Sequence, residues 1–174
     1  PWLQTFEEAD RLWSEKKWDE SLAAYISVLN GTDDDQLKQN AGMRLSLKSG
    51  EIENQAVDAM HTASNQAEIK AACEIRRRGL TAYDALVSSN FWPDPKNSSY
   101  LEAYRATSDY LFCLGFGEET PFPTSEKIRW LADKMALFPD DPTIRSYFEE
   151  TLSFLLREQV KNEAATNPED IGES

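Results

Sequence analysis

The segment Phe6–Leu29, FEEADRLWSEKKWDESLAAYISVL, decides how this chain folds. Its apolar residues recur every three or four positions: Phe6, Ala9, Leu12 and Trp13, then Leu22, Tyr25, Ile26 and Leu29. That is the period of one helical face, so the segment reads as two amphipathic helices. Lys16-Lys17 puts positive charge at the end of the first helix, where the dipole favours it, and Trp18 packs the turn. Thr5 and Glu8 have the spacing of a capping box, which starts the first helix near Thr5. Asn30-Gly31 stops the second. Helices this short do not hold alone in water, so the two must bury their faces against each other.

Residue by residue, Ala9 takes a small position where paired helices approach closely, and Leu12 a large apolar position one turn on. Trp18 supplies an aromatic at the turn, Ser21 stands where such a second helix usually has alanine, and Tyr25 takes an aromatic position. In these residues the hairpin resembles a tetratricopeptide repeat, a helix-turn-helix unit of about 34 residues. It departs from the pattern at Lys16, which replaces the turn glycine, and at Asp33-Asp34-Asp35, which stand in place of the closing proline. The resemblance implies an all-α fold of antiparallel helical hairpins stacked as an α-solenoid or short superhelix. It also implies that the first helix of each unit lines a concave binding face, which would place Phe6, Asp10 and Trp13 there. Chaperone-binding members hold a peptide carboxylate with lysine and asparagine at such positions. Phe6 and Asp10 stand there instead, so that clamp is absent. Trp13 as a plain core residue is the competing reading.

Outward from this hairpin, Asp35 is expected to cap a third helix carrying Leu37, Ala41, Leu45 and Leu47 and ended by Ser49-Gly50. A fourth would carry Ile52, Ala56, Ala59, Met60 and Ala63. Ser64 or Asn65 caps a run with Ile69, Ala72, Cys73, Leu80, Tyr83 and Val87, as one long helix or two broken near Gly79. Phe91-Trp92-Pro93-Asp94-Pro95 is a break, because two prolines stop any helix. Ser99 and Glu102 box-cap a helix with Leu101, Tyr104, Leu111 and Leu114, closed by Gly115 and Gly117; a loop through Pro121 and Pro123 follows. Ser125 caps a helix with Ile128, Leu131, Met135 and Leu137. Pro139-Asp140-Asp141-Pro142 closes it and opens the last, whose stripe is Ile144, Phe148, Leu152 and Leu155. The repeat resemblance is good at 6–29 and around 126–157 and poor between. Residues 1–160 therefore read as one helical repeat-like domain, and 161–174 as a disordered acidic tail or linker.

The chain has 174 residues, enough for a real core, and a net charge of −13. A field of that sign repels phosphate backbones and argues against nucleic acid, and it is compatible with solubility or with a basic partner. No apolar run approaches the roughly 20 residues of a membrane span. Cys73 and Cys113 both sit among apolar neighbours as small core residues would. A reduced, cytoplasmic setting fits that reading better than a disulfide. Asn30-Gly31-Thr32 and Asn97-Ser98-Ser99 match the glycosylation triplet and are read as loops.

Little of the chain points to chemistry. His61 is the one histidine, placed at a helix end where the dipole favours it. One histidine and two distant cysteines cannot supply a four-ligand zinc site. Asp33-Asp34-Asp35 lacks the glycine and distal glutamate of a calcium loop. Glu7/Glu8 and Glu149/Glu150 read as solvated helix faces, and no phosphate-binding glycine loop is present. No catalytic residue, cofactor or metal is assigned. Arg76-Arg77-Arg78 is the one basic cluster. It would bind an acidic peptide, a phosphate or a sister subunit, or else pair with local glutamates such as Glu74. The function expected is therefore a non-catalytic domain for protein or peptide binding or assembly, with Phe6, Asp10, Trp13, Arg76, Arg77 and Arg78 as candidate contacts. Alternatives are an accessory domain of a larger enzyme, and a helical enzyme with an acidic site.

Overall fold

The structure is a computed structural model that describes residues 1–89, 91, 124–138 and 142–166. The regular elements among them are all α-helices, packed as hairpins: α1 (Trp2–Ser14), α2 (Trp18–Gly31), α3 (Asp35–Thr62), α4 (Gln66–Ser88), α5 (Thr124–Met135) and α6 (Pro142–Thr166). The chain divides into two compact units, Pro1–Cys113 and Leu114–Ser174, whereas the sequence reads as one domain over 1–160. The break at 92–95, the helix expected from Ser99 and the loop through Pro123 lie outside the described residues.

The first unit follows the hairpin logic with shifted boundaries. α1 begins at Trp2, and no capping box forms: the Thr5 hydroxyl donates to the Pro1 carbonyl, while Glu8 pairs with Arg11. The earlier start has a packing reason. The Trp2 ring lies so close to Gly31 that a Cβ there would come within 2.3 Å of it. Ala9 and Leu12 of α1 are buried against Ser21, Leu22, Tyr25, Val28 and Leu29 of α2. The helices approach closely enough for Ser21 Oγ to donate to the Ala9 carbonyl at 2.7 Å. In the turn, Lys16 adopts φ 63°, the left-handed conformation that glycine favours. Trp18 is half-buried and meets Trp13 edge-on, with centroids 4.7 Å apart.

α3 corrects the sequence reading. Asp34, not Asp35, is its cap, its side chain accepting from Leu37 N–H at 3.0 Å. The helix then runs 28 residues through Ser49-Gly50 without a break. A glycine in a helix interior costs only about 1 kcal/mol, which the buried stripe Ala41, Leu45, Ile52 and Ala56 outweighs. The expected third and fourth helices are thus one, and its antiparallel partner is α4. α4 is also continuous. Asn65 caps it by accepting from Glu68 N–H at 2.9 Å, and the Glu68 carboxylate accepts from Ser64 N–H at 2.8 Å. Gly79 does not break α4 but sits buried on the α3 side, where a Cβ would lie 3.2 Å from Ile52. α2 packs on α1, α3 and α4 and so forms the centre of the unit.

Cys73, on α4, is disulfide-bonded, which overturns the expectation of reduced core thiols. The chain's other cysteine, Cys113, lies outside the described residues.

In the second unit α5 and α6 form a hairpin around Leu131, Phe148 and Leu155. Phe138 and Phe148 rings pack at 5.1 Å, and Asn162 donates to Thr124 Oγ1 at 3.2 Å. Pro142 opens α6, where a missing N–H is harmless. The helix continues to Thr166, past the point where the sequence places a tail.

Candidate interaction face on the first two hairpins

Because α2 packs against both α1 and α3, it holds these two helices side by side without close packing between them. A groove of about 260 Å³ opens there, lined by Phe6 of α1 and by Asn40, Met43, Arg44 and Leu47 of α3. Its residues follow helical spacing. Leu3, Phe6, Asp10 and Trp13 form one stripe on α1, and Asn40, Met43, Arg44, Leu47 and Lys48 form the matching stripe on α3. Met43 and Leu47 are 52% and 61% exposed, and Leu3 on α1 is exposed too.

The groove is stiffened from behind by Tyr25, which is fully buried. Its ring meets Phe6 edge-on at 5.7 Å, and its hydroxyl donates to the Asp10 carboxylate. Burial, reinforced by Asp10, raises the Tyr25 hydroxyl above its ordinary pKa. The same Asp10 oxygen forms an ion pair with Arg44, 3.3 Å from its Nε. The Arg44 guanidinium carbon lies 5.7 Å from the Phe6 centroid, within cation–π range. One turn along, Lys48 Nζ stands 4.5 Å from the Trp13 centroid and 3.8 Å from Glu51. The expected trio Phe6, Asp10 and Trp13 therefore shares one face, but with divided roles. Phe6 lines the groove, Asp10 orients Arg44, and Trp13 is half-buried between Trp18 and Lys48.

The α3 half of this face was not read from the sequence, although it left a signal. Met43 and Leu47 fall off the buried stripe of α3, so they are apolar residues without a core to join.

The arginine cluster is dispersed. Arg76 is buried and joins α4 to α3 through Glu53, Nη1 to Oε2 at 3.1 Å. Arg77 pairs with Glu74 one turn back at 2.8 Å, and Arg78 reaches Asp19 of α2 at 3.1 Å. The three do not form one surface, and each holds a carboxylate of its own chain. His61 is exposed in the last turn of α3. Among the described residues no group of histidine, cysteine and carboxylate side chains is placed to hold a metal ion, and no helix is long and apolar enough to cross a membrane. No protein-family model, curated protein or solved structure significantly matches the chain.

Proposed function

We propose that this chain is a non-catalytic, tetratricopeptide-like interaction domain that docks a peptide segment of another protein across the α1–α3 face. The observation that carries the reading is the groove itself, where exposed Met43 and Leu47 flank Phe6 and a positioned arginine. At about 260 Å³ it falls below the range of roughly 300–1,000 Å³ typical of small-molecule sites and suits one or two peptide side chains. The left-handed Lys16, the close contact at Ala9 and the aromatic turn support the repeat-like reading. For the compartment, the disulfide at Cys73 favours an oxidising one over the cytoplasm expected from the sequence.

The test is selection of a random peptide library on the intact chain. Met43→Gln with Leu47→Gln keeps helix propensity and removes the apolar lining. It should abolish binding of the selected peptides while leaving the melting temperature unchanged. Charge reversal at Arg77 and Arg78 should leave them bound. Selected peptides indifferent to the Met43/Leu47 change would refute the assignment of this face.

A further inference from the structure

We propose that Arg44 and Asn40 form a receptor for one acidic side chain of an otherwise apolar, extended peptide segment lying across the α1–α3 face; the inference rests on the docking reading above. Arg44 forms an ion pair with Asp10, its Nε 3.3 Å from the carboxylate, and its guanidinium makes no hydrogen bond to a described residue. Its side chain is about half exposed and lines the groove. The planar fork thus stands beside the Asp10 carboxylate and the Phe6 ring and is partly exposed. That is the geometry for bidentate capture of a carboxylate. Asn40 lies one turn away on the same face and lines the same groove. Its Oδ1 already accepts from Gln36 at 3.0 Å, which leaves its amide N–H groups to donate. The polar lining is therefore a set of donors, and the remaining lining is apolar. A ligand group that only accepts, set beside an apolar side chain, matches both.

Charge narrows the occupant further. With a net charge of −13 the chain repels a second copy of itself, and it repels a dianionic phosphate about twice as strongly as a single carboxylate. A peptide with one acid and no other negative charge keeps the local pairing at a smaller long-range penalty than a dianion. The stripe continues past the groove, from Leu3 to Trp13, about 15 Å along α1 at ~1.5 Å per residue. That length matches roughly five residues of extended peptide at ~3.3 Å each. A segment running through the face, with its acid on a side chain, fits it better than a chain end.

The probes are amide-capped peptides with a central residue between two leucines in a serine-rich neutral frame. The central residue is glutamate, glutamine or phosphoserine, and a fourth peptide lacks the glutamate but ends in a free carboxylate. Titration calorimetry on the intact chain should show glutamate bound tighter than glutamine by roughly ten- to hundredfold, the factor expected of a charge-assisted pair. Arg44→Gln should bring that ratio to about one, and Arg44→Lys should restore only part of it, because lysine lacks the fork. Lys38→Gln, which removes an exposed charge from the same helix outside the groove, should leave the ratio intact. The ratio is measured within each variant, so a partly unfolded sample lowers both affinities and leaves it readable. An unchanged ratio in Arg44→Gln overturns the receptor, as does tighter binding of phosphoserine or of the free chain end. Loss of both glutamate and glutamine peptides in the Met43→Gln, Leu47→Gln variant would then still uphold docking. Indifference of every peptide to that variant would remove the docking reading itself.

Discussion

Gly50→Ala should stabilise the first unit, and the sign of its effect decides between two accounts of α3. In the structure Gly50 lies inside a continuous 28-residue helix. A Cβ built on it meets nothing within 4 Å, and its backbone is not in the left-handed region. Alanine there adds helix propensity without a clash, worth about 0.8–1 kcal/mol. For a unit of this size that is a rise of about 4 °C in melting temperature. If Ser49-Gly50 instead ended a helix, as the sequence pattern suggests, the glycine would be a left-handed cap. Alanine would then cost roughly 1–2 kcal/mol. Thermal and urea denaturation of the oxidised chain, followed by helix dichroism, would read the difference. A fall in the urea midpoint at unchanged slope would refute the continuous helix. Gly42→Ala serves as an internal contrast, because its Cβ would lie 2.1 Å from the Phe91 ring and the substitution should destabilise.

Lys16→Gly should raise stability by up to about 1 kcal/mol in the same urea assay, since the left-handed turn at φ 63° strains lysine and not glycine. Tyr25 gives an alkaline limit. Its folded pKa is raised, so its contribution is complete below the unfolded value near pH 10 and is lost as pH rises through the folded value. Tyr25→Phe should remove that alkaline loss, seen in urea midpoints across pH, and cost about 1 kcal/mol at neutral pH through the hydrogen bond to Asp10. Cys73→Ser, or reduction, should lower stability by about 2–4 kcal/mol, with free thiols titrating only after reductant is added.

The first hairpin was legible because its signals are local. Ala9, Leu12, Leu22, Tyr25 and Leu29 lie on the stripes their spacing draws, and all are buried. The start of α1 was misplaced because a capping box is a local pattern, whereas Trp2 is held by a contact with Gly31 at the far end of α2. The break assigned at Gly50 failed for a similar reason. Glycine marks helix ends on average, but here the packing of Ile52 and Ala56 against the rest of the unit carries the helix through. Trp18 stands where the turn needs an aromatic, yet it is only half-buried, so the loss expected on truncation is smaller than for a core tryptophan.

The candidate face was half legible, and the missing half explains the difference. Phe6, Asp10 and Trp13 fall on one face of a single helix, which spacing alone reveals. Arg44 acquires its meaning only through two contacts with α1, the Asp10 carboxylate and the Phe6 ring. Both depend on α2 holding α1 and α3 abreast, and no sequence period encodes that. Asp10 illustrates the point from the other side. Its position marks it as a surface contact, but its carboxylate is already shared between the Tyr25 hydroxyl and Arg44 Nε. In the proposed docking reading it would hold an arginine toward the peptide rather than meet the peptide itself. The Arg76–Arg78 run shows the converse. Three consecutive arginines look like one patch in the sequence, yet successive helical residues diverge by about 100°. The fold sends them to Glu53, Glu74 and Asp19 on three different helices. What separates Arg44 from these three is its place: it also pairs with a carboxylate, Asp10, but it lines an apolar groove, as none of the three does.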